Sequence, residues 1–264
     1  MDPPQRFSNP RFSVVTSNVG TSDLLIAAAK RLRQAVDQPR IATPVTHVYN
    51  PLVYAWRTHE MYLRRYGNGP KRVLFLGMNP GPFGMTQTGI PFGEIAAVRD
   101  WLGIQATIER PPDEHLKRPV MGFNCTRTEI SGQRLWGLFA KRFGSAEKFF
   151  EQHLVMNYCP LAFVEESGRN RTPDKLPPQV RATLFGACDD HLREIVRVLE
   201  PEWLIGVGDF AAKRARDVIA STTSLASDPP HVGQILHPSP ACPASNNDWA
   251  GIATKQLRNL GVWK

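Results

Sequence analysis

Three polar side chains stand where apolar runs of the chain stop: Asn79 after "RVLFLGM", Asn157 after "HLVM" and His237 after "HVGQIL". An amide presents a donor and an acceptor but takes up no proton near neutrality, so Asn79 can orient a water or a ligand without acting as a base. A neutral imidazole can donate from one ring nitrogen while accepting at the other. Asn79 lies in "GMNPGPFGMTQTGIPFGE" (residues 77–94), a turn dense in glycine and proline that also carries Phe92. Such a turn is either a structural corner or a scaffold that brings backbone and side chains close to a ligand. It lacks the Lys-Ser/Thr pair of a phosphate-binding loop and the GxGxxG of a dinucleotide fold, which argues against nucleoside triphosphates. Phe92 is either a core residue or a platform for a planar base, where stacking contributes about 1–3 kcal/mol per base. Asn157 is either a satisfied structural amide or a reader of an imide edge, which presents a donor and an acceptor side by side.

Those side chains need a frame. Four short runs, residues 72–79, 153–160, 202–209 and 231–240, are apolar on both alternating faces and bounded by turn residues. That pattern suits strands covered on both sides. Helical segments lie between them, the clearest being "QVRATLFGACDDHLREIVRVLEP" and "DFAAKRARDVIAS". The alternation predicts an α/β fold, a three-layer sandwich around a central, mainly parallel four-stranded sheet. Open parallel sheets bind ligands outside the carboxyl ends of their strands, which gathers Asn79, Asn157, Gly208 with Asp209, and His237 around one crevice. Upstream, Leu25, Ala29, Leu32 and Val36 recur with helical spacing over residues 22–37, and "YAWRTHEMYLRRYG" is a helix stopped near Gly67, with "TPVTHVYNPLVYAW" as a lead-in. Residues 1–20 are polar and predicted to be a flexible tail, with residues 21–264 forming one domain. The long irregular stretches 104–131 and 165–178 are functional or poorly ordered segments.

Composition narrows the partners. The 264 residues hold 32 Lys and Arg against 24 Asp and Glu, a net charge of +8 that favours a polyanionic ligand. Within "SGRNRTPDK", Arg169, Arg171 and Lys175 sit among turn residues, either as phosphate contacts or as a solvated charge run. The cysteines Cys125, Cys159, Cys188 and Cys242 are widely spaced with no CxxC, so reduced thiols rather than a zinc site are expected. No apolar leader and no bilayer-length apolar run appears, so no membrane association and an intracellular location are expected.

In order and spacing, "GMNPGPFGMTQTGIPFGE", "NYCPLAF", "SGRNRTP" and "HPSPACP" resemble the single-strand-selective monofunctional uracil-DNA glycosylase family of the uracil-DNA glycosylase superfamily. The likeness runs from about Tyr49 to the C-terminus. It implies that Asn79 positions the attacking water and that His237 hydrogen-bonds uracil O2 as the base leaves. Phe92 would stack on the flipped base, Asn157 would read its O4 and N3 edge, and Met78 and Gly81 would line the pocket, with Gly81 beside C5. Ser167, Gly168, Arg169, Asn170 and Arg171 would form a DNA-contacting loop, and Pro238, Ser239, Pro240 and Ala241 the start of a wedge that fills the gap in the duplex. Vertebrate members have an Arg where this chain has Ala241, so the wedge here is small and uncharged.

The resemblance therefore implies a monofunctional glycosylase acting on DNA that contains uracil or C5-oxidised uracil such as 5-hydroxymethyluracil. No motif places a lysine for Schiff-base chemistry, so no lyase activity is expected, and no metal or organic cofactor is implied. A monomer is expected, with enzymes that process abasic sites downstream, in the cytoplasmic nucleoid of a prokaryote or the nucleus of a eukaryote. The rival expectations are a glycosylase for xanthine and hypoxanthine, and a non-catalytic protein that binds damaged or single-stranded DNA through the same basic surface.

Overall fold

The computed structural model describes residues 19–37, 43–222 and 228–264, so the tail expected at residues 1–20 falls, up to residue 18, outside the described residues. Helix α1 (Thr21–Ala35) leads to strand β1 (Val45–Tyr49), a single turn α2 (Pro51–Tyr54), helix α3 (Trp56–Tyr66) and strand β2 (Val73–Gly77). A short helix α4 (Met85–Thr88) lies within the glycine and proline turn. Next come α5 (Ile130–Phe143), α6 (Ala146–Phe150), β3 (His153–Asn157), β4 (Ala162–Glu165), β5 (Asn170–Arg171) and α7 (Pro178–Leu199). The chain ends with β6 (Trp203–Val207), α8 (Asp209–Ala220), β7 (His231–Ile235) and α9 (Trp249–Asn259).

The four apolar runs form one sheet in the order β3-β2-β6-β7, with every neighbouring pair parallel. All residues of the inner strand β2 and of the edge strand β3 are buried. Register assigns the layers. Leu74 and Leu76 of β2 align with Leu204 and Gly206 of β6, and a Cβ at Gly206 would come within 2.6 Å of the Ala212 Cβ on α8. Helix α8 therefore covers the Leu74 and Leu76 face, and side chains alternate across a strand. Phe75 points the other way, onto Phe139 of α5 (ring centroids 5.1 Å) and Phe149 of α6 (6.4 Å). Gly233 of β7, aligned with Ile205, lies on that second face against Leu260 just after α9. Helices thus cover both faces of a parallel sheet, the three-layer arrangement that the alternating strands and helices predict.

A second sheet has no counterpart in the sequence pattern: β1, β4 and β5 pair antiparallel in the order β1-β4-β5. Strand β1 lies in the segment read as a lead-in, and β5 is two residues long, too short to show a period. This small sheet carries the "SGRN" hairpin, whose turn closes with Gly168 N–H donating to Glu165 O (2.7 Å) and Glu165 N–H to Arg169 O (2.9 Å). Helix α1 buries Leu25, Ala29, Leu32 and Val36 as its spacing predicts, and α3 stops at Gly67. Cys125, Cys159 and Cys188 are buried thiols and Cys242 is half-buried. No helix among the described residues is long and apolar enough to cross a membrane.

Three imidazoles are enclosed in this core. Desolvation lowers His59, His153 and His191 from the usual 6.5 to about 4 each, so all three are neutral in the native protein at pH 7. Two of them serve structure through Nδ1: His59 donates to Gly89 O (2.8 Å) and His153 to Phe149 O (2.8 Å). The unfolded chain binds protons at these groups below pH 6.5 while the native chain refuses them until about 4, so stability is full above 6.5 and falls as pH drops through that window. Urea midpoints followed by circular dichroism are expected to be level from pH 8 to 7 and to decline steadily from 6.5 toward 4; a midpoint level down to pH 5 would contradict this.

Candidate active site

The cleft begins with an absent side chain. Gly77, the last residue of β2, pairs in register with Asn157, the last residue of β3. A Cβ at Gly77 would overlap Asn157 Oδ1 and lie 2.5 Å from Phe92 Cε2. Glycine therefore lets the Phe92 ring and the Asn157 amide close over the strand end. Phe92 is held in the left-handed region (φ +52°), a conformation that costs a non-glycine residue roughly 1–3 kcal/mol and persists only where surroundings enforce it. Trp136 Nε1–H supplies one restraint by donating to Phe92 O (3.0 Å). The Phe92 ring packs at 6.3 Å from the His237 ring, and the two meet at a cleft of about 530 Å³.

His237 reaches the cleft from the turn after β7. Gly208, just after β6, has φ +91°, and a Cβ there would come within 3.0 Å of His237 Cβ, so the imidazole lies directly over this turn. Ser239 N–H donates to His237 Nδ1 (3.1 Å), which places the ring proton of the neutral form on Nε2. Desolvation lowers the group to about 4, so the neutral donor persists at physiological pH. Arg134 of α5 fastens the same turn, donating to Pro238 O (2.8 Å) and Ser245 Oγ (3.0 Å).

Asn79 has a defined orientation. Its Nδ2 donates to Leu161 O (3.1 Å) in "NYCPLAF", which leaves Oδ1 as the acceptor available to the cleft. Asn157 is buried at the cleft floor with its Nδ2 against Met85 Sδ (3.3 Å), a weak acceptor. A ligand carbonyl can replace that contact with a stronger one. Met78 and Gly81 also line the cleft. Beside Gly81 stands Glu129, which no sequence motif marked: a Cβ at Gly81 would overlap Glu129 Oε2 and come within 3.0 Å of its Cδ. Burial raises the Glu129 carboxyl above its ordinary value, opposed by the backbone amides of Ser131 and Phe83. Met85, Ser131, Thr172 and Phe210 complete walls that sequence reasoning did not reach.

The loop residues divide. Asn170 and Thr172 line the cleft, Ser167 and Arg169 are exposed, and Ser239, Ala241 and Cys242 form the rim on the His237 side with Pro240 exposed beside them. Three of the residues expected to contact DNA also make contacts within the protein. Gly168 is buried and its carbonyl accepts from Arg118 Nε (2.6 Å). Arg171 turns to Glu165 (2.9 Å) and donates from Nε to Lys175 O (2.9 Å). Pro238 is buried under Arg134. Each of these contacts shapes its loop from within.

A family model, the uracil DNA glycosylase superfamily, matches residues 64–257. The single-strand selective monofunctional uracil DNA glycosylase of Bos taurus is 47% identical over 232 residues, 88% of this chain and 84% of that protein. The chain belongs to this family. Its counterpart from Rattus norvegicus is also 47% identical, over 88% of this chain and 82% of its own length. The crystal structure of wild-type Pedobacter heparinus SMUG2 superposes with a TM-score of 0.64 at 18% identity, covering 92% of this chain and 99% of that one, which attests to the fold.

For this uracil DNA glycosylase family member, the Gly77 contact gives a direct test. Gly77→Ala is expected to fold with an unchanged circular dichroism spectrum while its single-turnover rate of base release drops roughly 10- to 100-fold, because Phe92 and Asn157 must move apart. A wild-type rate in a variant confirmed by mass spectrometry would refute the role given to the close approach.

Proposed function

We propose that the chain hydrolyses the N-glycosidic bond of uracil, and of C5-oxidised uracils such as 5-hydroxymethyluracil, in single- and double-stranded DNA, leaving an abasic site. The observation that carries this reading is the pairing of a neutral His237 with its proton on Nε2 and an Asn79 whose Oδ1 is left free, both on one cleft. Cleavage builds positive charge on the sugar and negative charge on the departing base. A preorganised donor stabilises the second, and an acceptor that orients water completes attack on the first. His237 Nε2–H donates to the base O2, and Asn79 Oδ1 accepts a proton of the attacking water. Because an amide cannot take that proton, the water attacks a sugar whose bond to the base is already largely broken.

The base is reached by extrusion from the helix, at a cost of a few kcal/mol that is smallest for single strands and mismatches. Phe92 then replaces one lost stacking partner. Asn157 matches the O4 acceptor and the N3–H donor together, a pattern that cytosine does not present in the same way. A cleft of about 530 Å³ has the volume for a pyrimidine with a C5 substituent, which supports the oxidised substrates, and the Glu129 carboxyl fills the place that a Cβ at Gly81 would take.

Base release measured on uracil, 5-hydroxymethyluracil, thymine and xanthine, each in single and double strands, tests the reading. Uracil and 5-hydroxymethyluracil are expected to be released, and Asn79→Ala and His237→Ala to slow release by about 100-fold or more each. No release from any uracil substrate, or equal rates for wild type and both variants, would sink it. The rate should also be level from pH 8 through 6.5 and fall only as pH approaches about 4, since His237 becomes an imidazolium there and not at the ordinary histidine value. An acid limb centred on 6.5 would show that His237 titrates freely and is not held as the neutral donor.

A further inference from the structure

Leu116 is 97% exposed, the most exposed large apolar side chain among the described residues. Single exposed leucines are common and by themselves mean nothing. What distinguishes this one is the rigidity of its support. Arg118 N–H donates to His115 O (2.8 Å), closing a β-turn with Leu116 and Lys117 at its tip. The His115 ring accepts from Lys117 N–H at Nδ1 (3.0 Å) and donates from Nε2 to Glu166 O (2.9 Å). The Tyr49 hydroxyl accepts from His115 N–H (2.8 Å) and donates to Arg118 O (2.7 Å), so one buried side chain holds both ends of the turn. Nothing in this arrangement lets Leu116 fold back onto the protein.

The tip is linked to the cleft's edge through its neighbours, and these include cations. Arg118 donates to Gly168 O of the "SGRN" hairpin, and Lys117 Nζ reaches Ser167 O (3.4 Å). The Arg118 guanidinium also lies over the Phe83 ring (5.4 Å), with Arg127 on the same ring at 4.8 Å. Phe83 is the residue between Pro82 and Gly84, both of which line the cleft. Exposed Arg169 adds to the cations; of the nearby acids Glu165 is turned to Arg171 (2.9 Å), Glu114 to Arg110 (3.7 Å) and Asp113 toward His47 (3.5 Å), while Glu166 is exposed. On the His237 side the rim presents Ala241, which has no bulk to insert anywhere.

We propose that Leu116 is an apolar wedge that enters the base stack of double-stranded DNA beside the extruded nucleotide, with Lys117, Arg127 and Arg169 holding the flanking phosphates. An apolar side chain inserted between base steps fills the space that extrusion opens and is sheltered from water only when a duplex is bound. Cations around it give the affinity that is independent of sequence. The proposal rests on the glycosylase reading above, and its test separates the two.

The experiment places 2-aminopurine next to uracil in a duplex and follows its fluorescence with protein carrying Asn79→Ala, so that insertion is read without base release; single-turnover release is measured separately in the otherwise wild-type protein. Leu116→Ala is expected to abolish the fluorescence rise on the duplex and to lower the ratio of double-strand to single-strand release rates about ten-fold. Leu116→Met should restore both, and Lys117→Ala should reduce the salt dependence of binding on single and double strands alike. An unchanged fluorescence rise or an unchanged rate ratio in Leu116→Ala overturns the wedge. Absence of uracil release by the wild type would instead overturn the glycosylase reading, while the fluorescence would still decide whether Leu116 inserts.

Discussion

The cleft exists because β2 ends in a residue with no side chain. At Gly77 two parallel strand ends lie side by side, and the space a Cβ would occupy is filled by Asn157 Oδ1 and the edge of the Phe92 ring. Everything nearby is arranged around this approach. The glycine and proline turn takes the chain away from the strand quickly enough for Asn79 to reach Leu161 O, then brings it back so that Phe92 returns over its own starting point. The left-handed backbone at Phe92 is the strain that such a return requires, and Trp136 and the bare Cα of Gly132, where a Cβ would overlap Phe92 O, hold it in place.

The electrostatics of the cleft follow from enclosure. Partial burial removes water from His237 and makes its charged form costly, so the imidazole stays neutral, and a single backbone amide at Ser239 decides which nitrogen bears the proton. Burial acts on Glu129 in the opposite sense, raising a carboxyl that lies against Gly81. Both effects have one cause, yet they give the cleft a neutral donor on one side and a carboxyl that holds its proton more tightly than usual on the other. Arg134 adds a mechanical part, fixing the turn that carries His237 through the carbonyl of the following residue.

The small antiparallel sheet extends this site outward. It holds the "SGRN" hairpin beside the cleft, and the hairpin's carbonyls tie down the turn that presents Leu116 and Lys117. Exposed cations and an unburied apolar tip are thereby fixed relative to the hairpin through side-chain bonds to its backbone carbonyls. Flexible loops would have to be ordered on binding, with an entropy cost that this arrangement avoids.

Local pattern determined much of this protein. The apolar runs at residues 72–79, 153–160, 202–209 and 231–240 suited strands covered on two faces, and their polar terminal residues pointed to one crevice, because strand period and burial are written into successive side chains. Motifs added the family resemblance, which the relatives bear out. The tertiary structure alone decided the rest. Strand β1 has an irregular register between Val45 and His47 and no clean alternation, β5 has only two residues, and the pairing of β1 with β4 comes from contacts distant in sequence. Glu129 and Arg134 enter the site from a stretch with no motif, Met85 from within the glycine and proline motif but unmarked by it, and Arg171 pairs with Glu165, which stands next to it in space. A sequence states what each side chain can do; which partner it finds, and therefore which proton it keeps, depends on distances that only the folded chain sets.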